Sequence, residues 1–146
     1  MNRLHVNLVI VAAAGSLLFA SLFAAQTSPY SPQVLPPAAR AARVRITQGP
    51  ELELANEESA IIRWTSNNPG GSDEHFGVVH YGTDPKELSQ TAKSHIRLNQ
   101  KHSYTVFRVR VDGLNPQTMY YYTVDSVEAN GTSDGVRSTV KHFSTR

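Results

Sequence analysis

Residues 114–120 read Leu114-Asn115-Pro116-Gln117-Thr118-Met119-Tyr120. A leucine that plugs a core, then a proline turn, then a tyrosine opening a new apolar run is the spacing of a tyrosine corner. In that corner the phenol hydroxyl bonds back to the backbone a few residues upstream. The corner joins strands of a two-sheet antiparallel sandwich, so this stretch sets the expectation for everything around it. Leu114 is assigned the plug and Tyr120 the corner, both structural parts.

Working outward, the chain alternates with period two and carries turn signals between short runs. Downstream lie Met119 to Val127, rich in Tyr and Val, and Val136 to Ser144. Upstream, Tyr104 to Val111 places Phe107, Val109 and Val111 on one face and Arg108 and Arg110 on the other. Ala60 to Thr65 does the same, with Ala60, Ile62 and Trp64 inward, and Trp64 reads as the core tryptophan between the sheets. Val44 to Ile46 and Gly77 to Tyr81 alternate as well, and weaker segments run over Leu88 to Thr91 and His95 to Leu98. Asn67 to Ser72 and Gly82-Thr83-Asp84-Pro85 are turns. No helical stretch interrupts this part. The expectation is an all-β domain over residues 43–146, a seven-stranded antiparallel sandwich.

The chain has 146 residues, enough for one such domain. Its 14 Lys+Arg against 12 Asp+Glu leave no strong basic surplus, which argues against a nucleic-acid partner. The absence of cysteine excludes a disulfide framework, a thiolate metal site and a cysteine nucleophile. Ahead of the domain, Arg3 is followed by an uncharged apolar run from Leu8 to Ala25, the plan of an export signal. Residues 1–25 are therefore expected to form a hydrophobic helix, either a cleaved signal or an uncleaved anchor. A cut after Ala25 leaves Phe23, and a cut after Ala24 leaves Leu22, where a small side chain is wanted. The run is also about the length that spans a bilayer, roughly 20 residues. Either way Arg3 stays inside and the rest is exported, so the protein is expected to be secreted or periplasmic, or tethered by residues 8–25. Residues 26–42, with Pro29, Pro32, Pro36 and Pro37, form a Pro/Ala-rich linker that reads as a semi-rigid spacer.

None of the six histidines stands in a His-x-His or His-Glu-x-x-His pattern, and no metal or cofactor site is expected. The one grouping weighed, His75 and His80 with Asp73 and Glu74 along one strand edge, lacks such a motif. There is no Gly-x-Ser-x-Gly, and Gly70-Gly71 lacks the glycine spacing and the lysine of a phosphate loop. Asn130-Gly131-Thr132 fits a glycosylation acceptor and also a hairpin turn, and the turn explains its position.

These runs together resemble a fibronectin type III, immunoglobulin-like sandwich, and more narrowly the N-terminal domain of purple acid phosphatases. Three segments carry the resemblance: Val44-Arg45-Ile46-Thr47-Gln48-Gly49 with Ile61-Ile62-Arg63-Trp64-Thr65; Val79-His80-Tyr81-Gly82-Thr83-Asp84-Pro85 with Leu88; and Gly113 through Val124. Phe143-Ser144-Thr145 is similar to the end of that domain. The resemblance implies that catalysis belongs to a separate two-metal phosphatase domain, whose Gly-Asp and Asn-His-Glu steps do not occur in this sequence. No catalytic residue is therefore carried over, and no enzyme is expected in these residues. The reading that follows is an exported, non-catalytic module for a protein or glycan partner. The alternative is an accessory or detached N-terminal domain that works with a metallophosphatase. In the fibronectin type III order the first, second and fifth strands share a sheet, so Arg45, Arg63, Arg108 and Arg110 would form one outward basic face. That face is either balanced by Glu51, Glu53, Glu57 and Glu58 or offered to an anionic partner.

Overall fold

The computed structural model describes residues 37–146. The expected hydrophobic helix over residues 1–25, and the linker up to residue 36, lie outside the described residues. No helix of the described residues is long and apolar enough to cross a membrane.

Eight strands follow one another: β1 (Ile46–Ala55), β2 (Ser59–Asn67), β3 (Glu74–Gly82), β4 (Gln90–Arg97), β5 (Tyr104–Asp112), β6 (Met119–Glu128), β7 (Ser133–Arg137) and β8 (Lys141–Ser144). All pairings are antiparallel. One sheet has the order β1-β2-β5, and the other has the order β4-β3-β6-β7 with β8 also paired to β6. This is the expected sandwich with one strand more than the expected seven, and the extra strand has a local cause. The single run expected from Val136 to Ser144 is interrupted where Ser138 turns its side chain onto the sheet. The Val124 N–H donates to Ser138 Oγ at 3.0 Å, and the Ser138 N–H donates to the Val124 carbonyl at 3.0 Å. The ladder against β6 therefore breaks into β7 beside Asp125 and Val127 and β8 beside Met119 to Tyr122. Conversely, the two weak segments around residues 88–98 are one continuous strand, β4.

The first strand also differs from expectation. It begins at Ile46 and runs on to Ala55, past Gly49 and Pro50, with register shifts against β2. Such irregular pairing leaves Leu52 and Leu54 exposed on an edge strand, so no inward alternation marks it in the sequence.

The core lies between the sheets. Ala60, Ile62 and Trp64 of β2 meet Phe107, Val109 and Val111 of β5 and Val79, Tyr122 and Val124 of the opposite sheet. Trp64 stacks on Phe107 with ring centroids 5.1 Å apart. Its seat depends on Gly77 of β3. A Cβ there would stand 3.0 Å from Trp64 Cη2 and from Val109 Cγ2, and 3.1 Å from Phe107 Cδ1. At the other end, Leu114 is buried, and Tyr120 Oη accepts the Asn115 N–H at 2.9 Å. The Tyr120 ring packs between Phe143 and Tyr81. Burial pushes the Tyr122 phenol up to about 12, with Glu51 adding to the shift.

Candidate functional site

The arginines of the three-stranded sheet are spoken for. Arg63 of β2 faces Glu51 of β1 and Arg108 of β5 in register. Arg63 donates to Glu51 Oε1 at 2.9 Å, Arg108 forms a two-pronged pair with Glu53, and Arg110 donates to Asp112 Oδ1 at 2.6 Å. The Arg108 hydrogen bond and charge hold the Glu53 carboxyl below its ordinary value. Glu57 and Glu58 line a hollow of about 610 Å³ with Arg110, Asp112 and Arg146, so acidic and basic residues are mixed there.

Arg45 is placed elsewhere. It precedes β1 and lines an open groove of about 750 Å³ at the end of the sandwich, between residues 40–45 and Asp134 to Arg137. The sequence builds this rim by alternation: Val44 is buried, while Arg43 and Arg45 on either side are exposed. Asn67, the last residue of β2, clamps the segment through its side-chain amide. The Arg45 N–H donates to Asn67 Oδ1 at 2.8 Å, and Asn67 Nδ2 donates to the Arg43 carbonyl at 2.7 Å. The chain just before is also seated, with the Gly71 N–H on the Ala38 carbonyl at 2.6 Å and the Ala41 N–H on the Pro69 carbonyl at 3.1 Å. Residues 38–45 thus lie against the domain, whereas the spacer reading of 26–42 treated the last of them as separate from it.

Four arginines line this groove: Arg40, Arg43, Arg45 and Arg137. Arg40 is paired with Glu128 and Asp134, and Arg137 lies 3.4 Å from Asp125 Oδ2. Arg43 and Arg45 have no carboxylate partner among the described residues. The groove therefore carries two positive charges that nothing within the domain neutralises, held on a backbone fixed by Asn67. Such a surface attracts anions.

The two histidines weighed together in the sequence are separated by the pleat. His75 and His80 are an odd number of residues apart on β3 and so point to opposite faces. His80 Nε2 lies 3.0 Å from Asp125 Oδ2 on the outer face. His75 points inward and is fully buried. Its neighbours are Glu128 of β6, its register partner, and Asp134 of β7, with Nε2 3.4 Å from Asp134 Oδ1. Neither Asp73 nor Glu74 joins it there: Asp73 accepts Gln100 Nε2, and Glu74 lies 3.9 Å from His95. Glu128, Asp134, Arg40, Arg43 and Arg137 were not singled out from the sequence.

Comparison with protein families gives one match, to the purple acid phosphatase N-terminal domain, over residues 47–145. The chain belongs to that family. The purple acid phosphatase N-terminal domain is the non-catalytic part of its family, and no catalytic domain is found in these 146 residues. No curated protein matches the chain. Among solved structures, the sensor domain of the anti-sigma factor RsgI4 from Pseudobacteroides cellulosolvens is similar at 19% identity and a TM-score of 0.48. That alignment covers 70% of this chain and 88% of that one. The groove described above is formed partly by residues 40–45, which precede the matched purple acid phosphatase N-terminal domain, and partly by β7 within it.

Proposed function

We propose that the chain is an exported, non-catalytic β-sandwich module that holds an anionic partner, protein or glycan, outside the cytoplasm. The observation that carries this reading is the end groove, where Arg43 and Arg45 stand exposed and unneutralised on an anchored backbone. Export is supported by Arg3 and the apolar run Leu8 to Ala25. The paired arginines of the three-stranded sheet are a poorer surface for the same task, because a ligand there would first have to displace Glu51, Glu53 or Asp112.

The test is retention of the full-length chain on immobilised polygalacturonate, polyglutamate and neutral dextran. Retention on one acidic polymer, lost as salt is raised, supports the reading and names the partner class. Equal behaviour on all three overturns it.

A second reading is favoured by the family match over residues 47–145. The module would act as an accessory to a metallophosphatase. Crosslinking capture from the native cell envelope with the full chain as bait checks this. A metallophosphatase as the dominant partner supports the accessory role, and a dominant partner of any other kind removes it.

A further inference from the structure

The polar cluster beneath the groove has more to say than the groove itself. His75 is completely buried, yet neither of its ring nitrogens has a hydrogen-bond partner. Buried polar groups are nearly always bonded, because leaving one without a partner costs free energy. The Asp134 Oδ1 atom lies 3.4 Å from Nε2 without forming a hydrogen bond to it. That spacing has another meaning. Two ligands each about 2.1 Å from a tetrahedral zinc ion lie about 3.4 Å apart. One ligand atom each from His75, Glu128 and Asp134 falls within 4.8 Å of the others, so the three converge on a common point.

Charge points the same way. Glu128 and Asp134 bring two carboxylates to an enclosed place, and the Asp134 side chain is fully buried. Arg40 answers both with a single positive charge. A divalent cation bound by two carboxylates and a neutral imidazole leaves no such deficit. Arg40 is also displaceable. Its side chain is 39% exposed, and it sits outside the strands on a segment seated by the two backbone bonds to Pro69 and Gly71. Gly71 leaves room beside Glu128, since a Cβ there would come within 2.7 Å of Glu128 Oε1 and 3.7 Å of Arg40 Nε.

We propose that His75, Glu128 and Asp134 form a site for a divalent transition cation of the zinc type. The ion takes the place of the Arg40 guanidinium and thereby frees residues 38–41 from the end of the sandwich. One nitrogen and two oxygen donors suit zinc, cobalt or nickel, and three protein ligands leave one coordination position open. Metal and Arg40 compete for the same two carboxylates, so removing the arginine must strengthen metal binding.

The experiment is zinc titration calorimetry on the full-length, untagged chain after chelator treatment, with visible absorption of the cobalt form as a second readout. The expected result is one ion per chain. Arg40→Gln binds zinc about tenfold or more tightly, because the competing closed state is removed. His75→Gln and Asp134→Asn each weaken binding by about 100-fold. Zinc also speeds tryptic cleavage after Arg40 in the wild-type chain. Should His75→Gln fail to fold, Asp134→Asn and the cobalt spectrum decide in its place. Absence of stoichiometric binding overturns the proposal. So does binding that survives both ligand substitutions, which would place the ion on surface histidines, or an Arg40→Gln affinity no higher than that of the wild type.

Discussion

Replacing Tyr120 with Phe removes one oxygen and leaves the ring in place between Phe143 and Tyr81. The lost oxygen is the acceptor for the Asn115 N–H at 2.9 Å, the bond that ties the start of β6 to the turn before it. A hydrogen bond of this kind contributes about 1 kcal/mol, and a donor left without a partner raises the loss to about 2. For a domain of this size each 1 kcal/mol moves the thermal midpoint by about 4–8 °C. The expected fall is therefore roughly 5–15 °C. Thermal unfolding of the full-length chain, followed by the fluorescence of Trp64, its only tryptophan, measures the midpoint, and urea unfolding with the same probe measures the free energy. Trp64 is buried against Phe107, so its emission reports loss of the core. Tyr121→Phe is the control, because the Tyr121 hydroxyl makes no hydrogen bond among the described residues, and it is expected to stay within about 0.5 kcal/mol. If Tyr120→Phe is as stable as the wild type, the corner bond does not hold β6 and the structural role assigned to Tyr120 is refuted.

Two further outcomes follow from the core. Gly77→Ala puts a methyl into the space taken by Trp64, Val109 and Phe107, and is expected to lower stability by about 1–3 kcal/mol in the same urea assay. The Tyr122 phenol, pushed up to about 12 by burial, binds its proton more tightly in the folded than in the unfolded chain. Its contribution is complete below the ordinary tyrosine range near pH 10. It is lost as pH rises toward 12, so alkaline unfolding midpoints fall across that window and Tyr122→Phe flattens the fall.

Most of the sandwich was legible because half-buried strands alternate. Ile62, Trp64, Phe107 and Val109 mark their sheets without any long-range information. What escaped had physical reasons. In β1, Leu52 and Leu54 are exposed on an irregular edge, so their alternation points to no core. The break between β7 and β8 rests on one serine side chain bonding across to Val124, an event that no local propensity encodes. The groove joins residues 40–45 to residues 134–137, and only the folded chain brings those segments together. The polar cluster did leave a trace. His75 has the same parity as Val79 and Tyr81, and Glu128 the same parity as Tyr120, Tyr122 and Val124. Counting inward positions to the strand ends would have flagged both as polar groups facing the interior. Of the four arginines read as one face, Arg45 stands just before the first residue of β1, tied to Asn67 at the end of β2, and it lines the end groove, a placement that only the folded chain reveals.

The most direct test compares two double variants of the full-length chain on the acidic polymer that retains the wild type. The account predicts that Arg43→Gln/Arg45→Gln loses affinity by several-fold to tenfold, on the order of 1 kcal/mol for two exposed charges. It predicts that Arg108→Gln/Arg110→Gln, whose charges are already matched by Glu53 and Asp112, binds as the wild type does. The reverse pattern would contradict the account and return the binding surface to the three-stranded sheet.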